Sequence, residues 1–195
     1  RWLEDQLAAS TARWTVVSMH HPYFTPEEFD RRADDALRRA AFAPIIDRFD
    51  VDLVLTGHIH HYSRLSANDD RTSRTIDGAP RAVETVYAIS SSGAKTGDVF
   101  GSVGPSTFVG DGDPDLGGDL SIDRIAGNTP MFQVIEIDGD NLRYEARMAT
   151  GEVYDAFTLQ HQDDGTKMLL EGEPEYGETR LFSNTARYVD WWDLR

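Results

Sequence analysis

The chain has 195 residues, 39% hydrophobic and 27% charged, which suits one folded domain with a real core and excludes a disordered chain. Its 34 acidic against 19 basic residues leave a formal charge of −15, and no basic run offsets it, so nucleic acid is not an expected partner. With no cysteine, any transition-metal site must be built from His, carboxylate and amide ligands, and the apolar stretches at 51–55 and 134–137 are too short to enter a bilayer as spans.

In chain order, residues 2–7 place Leu7 on one helical face with Trp2 or Leu3. The start reads as the inside of a helix, with no capping residue and no leader peptide, as a truncation would. Residues 14–19 predict a buried strand running into His20-His21-Pro22. Thr25-Pro26-Glu27-Glu28 has the features of a helix start, with Thr25 as N-cap. Phe29, Ala33, Leu37 and Ala40 follow at helical spacing, which predicts a helix over about 27–41. Pro44 is expected to open a second short helix through Ile45, Ile46 and Phe49. Residues 51–56 predict the next buried strand, ending at Gly57-His58, with Gly57 expected to supply a sharp turn. Strand, helix, strand with a His at each carboxyl end is an α/β arrangement, and ligands gather at that edge of such sheets.

Further on, a strand is expected over 82–90 and a long Gly- and Asp-rich surface loop over 99–130. Asp138-Gly139 predicts a hairpin between 131–137 and 142–148, where Leu142, Tyr144, Ala146 and Met148 alternate with Arg143, Glu145 and Arg147. A third strand over 153–159 completes an antiparallel meander, and an aromatic tail at 188–192 is expected to dock on the body. Asp111, Asp113, Asp115 and Asp119 alternate as calcium ligands would, but Leu116 and Ile122 stand where an EF-hand needs Gly and Glu, so a solvated loop is expected.

Five of the six histidines fall in two clusters, Met19-His20-His21-Pro22 and Gly57-His58-Ile59-His60-His61-Tyr62, each at a predicted strand end. Histidine is the commonest neutral metal ligand, and two of them one residue apart can face one pocket from an extended loop. His161 lies outside both clusters and is expected to be exposed.

The segment Val51-Asp-Leu-Val-Leu-Thr-Gly-His-Ile-His-His-Tyr-Ser-Arg64 resembles the closing signature of calcineurin-like metallophosphoesterases, a Gly-His-x-His after a hydrophobic strand. The Tyr62-x-Arg64 extension resembles the purple-acid-phosphatase-like branch, and 16–22 resembles the strand and His that precede the signature. Residues 85–90 and 132–159, with Gly151-Glu152-Val153-Tyr154-Asp155, are similar to the strands that follow it, so the resemblance covers roughly the first 160 residues. It implies the C-terminal half of a four-layer αββα sandwich: an α/β fold with a mixed sheet and an antiparallel C-terminal meander. It also implies a division into that half-domain at 1–160 and a tail packing on it at 161–195.

Carried over by motif, the resemblance assigns His20 and His58 to one metal ion and His60 to the other, of a pair of divalent or trivalent ions such as Fe, Zn or Mn. It gives this chain no catalytic residue. His21 and His61 stand beside the motif positions, behind the ligands or facing substrate, and either could donate a hydrogen bond to a phosphate oxygen. Tyr62 and Arg64 are expected to shape the loop, Arg64 through a salt bridge in preference to phosphate contact, and Tyr23 and Phe24 to fill core in preference to lining a pocket. The family's Asp-x-His, Gly-Asp-x-x-Tyr and Asn-His motifs are absent; Gly127-Asn128-Thr129 and Gly139-Asp140 are accidental matches. The whole enzyme is therefore expected to cleave phosphate esters by in-line attack of a metal-bound hydroxide. The isolated chain is expected to be inactive, to hold one ion at most, and to need the missing N-terminal half or a dimer that buries the cut face. The branch implies a secreted or periplasmic parent. The alternative is a non-catalytic binding module that retains the His loops.

Overall fold

In a computed structural model of the chain, residues 1–22, 24, 32–67, 80–90, 92–93, 95–97, 120–172 and 181–183 are described. The elements run α1 (Trp2–Ala9), β1 (Val16–Ser18), α2 (Arg32–Arg48), β2 (Leu53–Thr56), β3 (Tyr62–Ala67), β4 (Arg81–Ala82), β5 (Val86–Ile89), β6 (Leu120–Gly127), β7 (Met131–Asp138), β8 (Asn141–Met148), β9 (Val153–His161), β10 (Lys167–Glu171) and β11 (Leu181–Ser183). They form a mixed six-stranded sheet, in the order β1-β2-β5-β3-β6-β11, and an antiparallel five-stranded sheet, in the order β4-β10-β9-β8-β7. Strands β1, β2 and β5 are mutually parallel, and β3 runs against β5.

The two sheets pack face to face. Leu53, Tyr62, Val86, Ala88 and Ala126 of the mixed sheet share one core with Leu142, Tyr144, Ala146, Phe157, Leu159 and Leu169 of the antiparallel sheet. The other face of the mixed sheet is covered by helices: Leu3 and Leu7 of α1 and Phe42, Ala43 and Ile46 of α2 pack with Val17, Val54, Leu65 and Tyr87. Trp2 stays exposed, so Leu3 and Leu7 carry the apolar face of α1. The described residues thus supply a helix layer and both sheet layers of the expected sandwich. The α/β class and the C-terminal meander are as the sequence predicts.

Helix α2 departs from expectation, because it runs through Pro44 without a second start. Ala40 and Pro44 are both on the exposed side, so the carbonyl that proline leaves without its helical donor faces water, while Ile46 is fully buried one turn on. The helix ends in a Schellman motif. Asp50 takes a left-handed φ of +46°, its N–H donates to Asp47 O at 3.2 Å, and Val51 N–H donates to Ile46 O at 3.2 Å. Val51 and Ile46, both fully buried in one cluster, add the apolar contact that accompanies this cap. Residues 23 and 25–31, with the expected N-cap Thr25, lie outside the described residues.

Two more expectations are corrected. The span 82–90 holds two strands in different sheets, β4 and β5, separated at Val83–Thr85 where Thr85 Oγ1 donates to Val51 O at 2.8 Å. The expected loop over 99–130 contains β6, which pairs with β3 and β11, and residues 123–129 are buried. Asp123 and Arg124 hide its periodicity, since both charges turn inward to partners rather than out to water. The remainder of that span, with Asp111, Asp113, Asp115 and Asp119, lies outside the described residues, as does the aromatic tail at 188–192.

Candidate metal centre

The parallel strands set the histidines. Strand β1 registers Val17 with Val54 and Ser18 with Leu55 of β2. The two chains stay tied past the strand ends, with Met19 N–H donating to Leu55 O at 3.0 Å and Gly57 N–H to His20 O at 3.0 Å. His20 and His58 therefore meet at one sheet edge, with His58 Nδ1 3.3 Å from His20 Nε2. His21 joins them: the ligand atoms of His20, His21 and His58 all lie within 4.8 Å of one another. Ring centroids stand 4.8 Å apart for His20–His21, 5.2 Å for His20–His58 and 4.1 Å for His21–His58. His20 and His21 are exposed and His58 half-buried, so the cluster is open to solvent.

The sharp turn after β2 is made by His58 rather than Gly57. His58 has φ +66°, and Ile59 N–H donates to Gly57 O at 2.7 Å, a γ-turn with a side-chain-bearing residue at its centre. Such a position costs about 1–3 kcal/mol and persists only where the surroundings hold it. Ile59, the next residue, is buried.

His60 is half-buried, and among the described residues no three-membered group of ligating side chains forms around it. Its carbonyl accepts from Gly97 N–H at 2.6 Å, and Gly97 O accepts from Asn128 N–H at 2.7 Å, so residues 95–97 bridge the loop to the end of β6. His61, read from the motif as standing behind the ligands or facing substrate, is 1% exposed. Burial pushes its pKa down to about 4, with His60 adding to the shift, so it stays neutral at physiological pH.

Behind the loop, Tyr62, Arg64 and Ser66 alternate on the face of β3 that meets the antiparallel sheet. Tyr62 Oη donates to Asp155 Oδ2 at 2.6 Å. Arg64 is fully buried and forks onto Asp155 (2.8 and 3.1 Å) and Glu171 (3.0 and 2.6 Å), with its guanidinium 4.9 Å from the Phe157 ring centroid. Arg81 adds Asp123 at 2.9 Å and Ser66 at 2.8 Å, and Arg124 Nε lies 3.0 Å from Asp155 Oδ1. The salt-bridge role expected of Arg64 is the one observed, and phosphate contact is not open to it. Phe24 fills core, edge-on to Tyr87 at 4.8 Å; Tyr23 lies outside the described residues.

His161 is packed rather than exposed. It lies edge-on to Trp14 at 4.2 Å, and its Nε2 is 2.8 Å from Asp52 Oδ1. Asp52, 2% exposed, also accepts from Thr15 N–H at 2.7 Å and Lys167 Nζ at 2.9 Å. This clamp joins the two sheets at the amino end of β2, opposite the histidine edge. Sequence reasoning missed it, although an Asp opening a buried strand was a visible signal.

The calcineurin-like phosphoesterase family model matches residues 1–62, which hold both histidine loops. Two uncharacterized proteins of Mycobacterium tuberculosis, one from each of two strains, are each 30% identical over 134 residues, covering 58% of this chain and 25% of their own length. The chain thus spans about a quarter of the length of these relatives. Among solved structures, purple acid phosphatase PPD1 from yellow lupin (Lupinus luteus) seeds superposes with a TM-score of 0.52 at 15% identity, over 84% of this chain and 28% of that one. PhoD superposes with a TM-score of 0.51 at 12% identity, over 97% of this chain and 38% of that one. Residues 1–62 are thus similar to calcineurin-like phosphoesterases, and the fold of the described residues is like that of purple acid phosphatase PPD1 and PhoD.

The family's divalent ions can be tested against these residues. Two nitrogens bound tetrahedrally to one ion at about 2.0–2.1 Å stand roughly 3.4 Å apart, and the His20–His58 pair stands 3.3 Å apart. The donor set fits one ion. It brings no negative charge, so among the described residues the cluster has nothing to offset the repulsion of two close cations.

Proposed function

We propose that this chain supplies part of the metal centre of a phosphohydrolase that cleaves phosphate esters, with His20 and His58 on one ion and His60 turned toward a second. The observation that carries the proposal is the 3.3 Å approach of His20 Nε2 and His58 Nδ1 at the carboxyl ends of adjoining parallel strands. A bound divalent ion supplies Lewis acidity there, neutralising charge on phosphoryl oxygens and acidifying coordinated water. The chain's own residues orient that chemistry: the γ-turn aims His58, Gly97 pins the His60 carbonyl, and the Asp155 network holds the start of β3.

The reading includes a completing partner. Strands β1 and β7 are the edges of their sheets among the described residues, and they lie on the same side of the sandwich, where Trp14 Nε1 donates to Gly139 O at 2.9 Å. Exposed Val16 on β1 and exposed Phe132 and Ile137 on β7 mark that side. An N-terminal half of the same fold, carrying the bridging carboxylate, would continue both sheets there; a dimer of this chain would cover the same residues. A secreted or periplasmic location for the parent protein belongs to the same reading.

Elemental analysis and p-nitrophenyl phosphate hydrolysis test it together, on the chain alone and with its completing sequence. We expect about two ions and turnover for the completed protein, with loss of one ion and of turnover in His20→Ala and His58→Ala. The chain alone should hold one ion at most, show no turnover, and run as a dimer by light scattering. Unchanged metal content in both variants, or turnover by a monomeric chain, would reject the assignment.

A further inference from the structure

We propose that His21 is a third imidazole ligand to the ion held by His20 and His58, so that this chain alone gives that ion three nitrogens. The proposal rests on the preceding reading of His20 and His58. It departs from the role the motif suggests for His21, which is to stand beside the ligands or face substrate.

Consecutive side chains on an extended strand point to opposite faces, so a His-His pair should place only one ring toward β2. Here the chain bends at both His20 and His21, directly after β1, and both rings flank His58. The His21 ring is nearer the His58 ring than the His20 ring is, 4.1 Å against 5.2 Å. Buried Pro22 follows, and a residue before proline is confined to extended backbone, which narrows the conformations His21 must give up on binding. Three ligand atoms within 4.8 Å of one another, open to solvent on one side, make a three-nitrogen site that keeps a further position free for water or a phosphate oxygen. Cobalt(II) is a suitable probe, because imidazole donors suit late first-row ions and its visible spectrum responds to ligand number.

The test is cobalt(II) titration of the chain against a chromophoric chelator, with the visible spectrum recorded, for wild type, His20→Ala, His58→Ala, His21→Ala and His21→Gln. Circular dichroism of each metal-free variant checks its fold. We expect both His21 variants to lose at least about tenfold in cobalt affinity and to change the spectrum, as His20→Ala does. Proton NMR of the cobalt-loaded wild type needs no variant and should show three imidazole N–H resonances shifted by the ion. Two shifted resonances, or His21 variants that bind cobalt normally while His20→Ala and His58→Ala do not, overturn the proposal and leave the underlying site standing. Loss of inorganic phosphate binding by His21→Ala with cobalt affinity intact also overturns it, placing His21 on substrate. Normal binding in all four variants overturns both readings.

Discussion

Asp155 accepts from Tyr62 and Arg64 and lies against Arg124, at 0% exposure, between the two sheets. Among the described residues, Arg64, Arg81 and Arg124 face Asp123, Asp155 and Glu171 there, so three cations stand against three anions. Removing one partner of such a cluster leaves an uncompensated buried charge and costs about 3–5 kcal/mol. Asp155→Ala should therefore destabilise the chain by about that amount in urea unfolding, and a loss under about 1 kcal/mol would show that water reaches the network. The residue types were legible: Tyr62 and Arg64 two apart share a strand face, and Asp155 interrupts an apolar run. Their meeting was not, because 91 residues separate Arg64 from Asp155.

At the level of elements, two irregularities place this network. The β3–β6 register shifts between Arg64 and Leu65, so Asp123 is the extra residue, and the β8–β9 register shifts between Ala146 and Arg147, so Tyr154 is. Each bulge re-aims neighbouring side chains: Asp123 reaches Arg64 and Arg81, and Tyr154 Oη donates to Ile125 O at 2.8 Å across the sheets. Gly172 closes β10 against β9, where a Cβ would meet Ala156 Cβ at 2.7 Å and Ala156 O at 3.0 Å. Gly172→Ala must displace that backbone and with it Glu171, so we expect a loss of about 1–3 kcal/mol by thermal unfolding. A Tm equal to wild type would mean that β10 moves freely. The hairpin of β7 and β8 and the alternation of Leu142, Tyr144, Ala146 and Met148 were read directly from sequence, whereas β6 was not, since its inward charges mimic a loop.

For the whole molecule, charges join the sheets at both ends of the strands. Glu171 carries part of the acid response. Burial alone would raise its pKa, but the Arg64 charge and hydrogen bond, with Arg81 and Arg124, outweigh burial and hold it below the usual 4.5. A carboxylate whose folded pKa is depressed contributes stability that is present above its unfolded pKa and lost as pH falls through the folded value. Stability should hold from neutral pH to about 5 and decline below about 4.5, and Glu171→Gln should flatten that decline. An acid slope unchanged in Glu171→Gln would assign the response to other carboxylates.

By itself the sequence determined the local and periodic features. These are the two histidine loops at strand ends, the meander and the likeness of residues 1–62 to calcineurin-like phosphoesterases, all carried by short motifs or by a period of two. Only the tertiary structure decided which histidines touch. His20, His21 and His58 meet because β1 and β2 pair in parallel with one register, and the left-handed turn falls on His58 because neighbouring packing holds it there. His61 is buried and His161 is packed against Trp14 for the same reason: such placement depends on contacts between segments far apart in the chain, which no local pattern encodes.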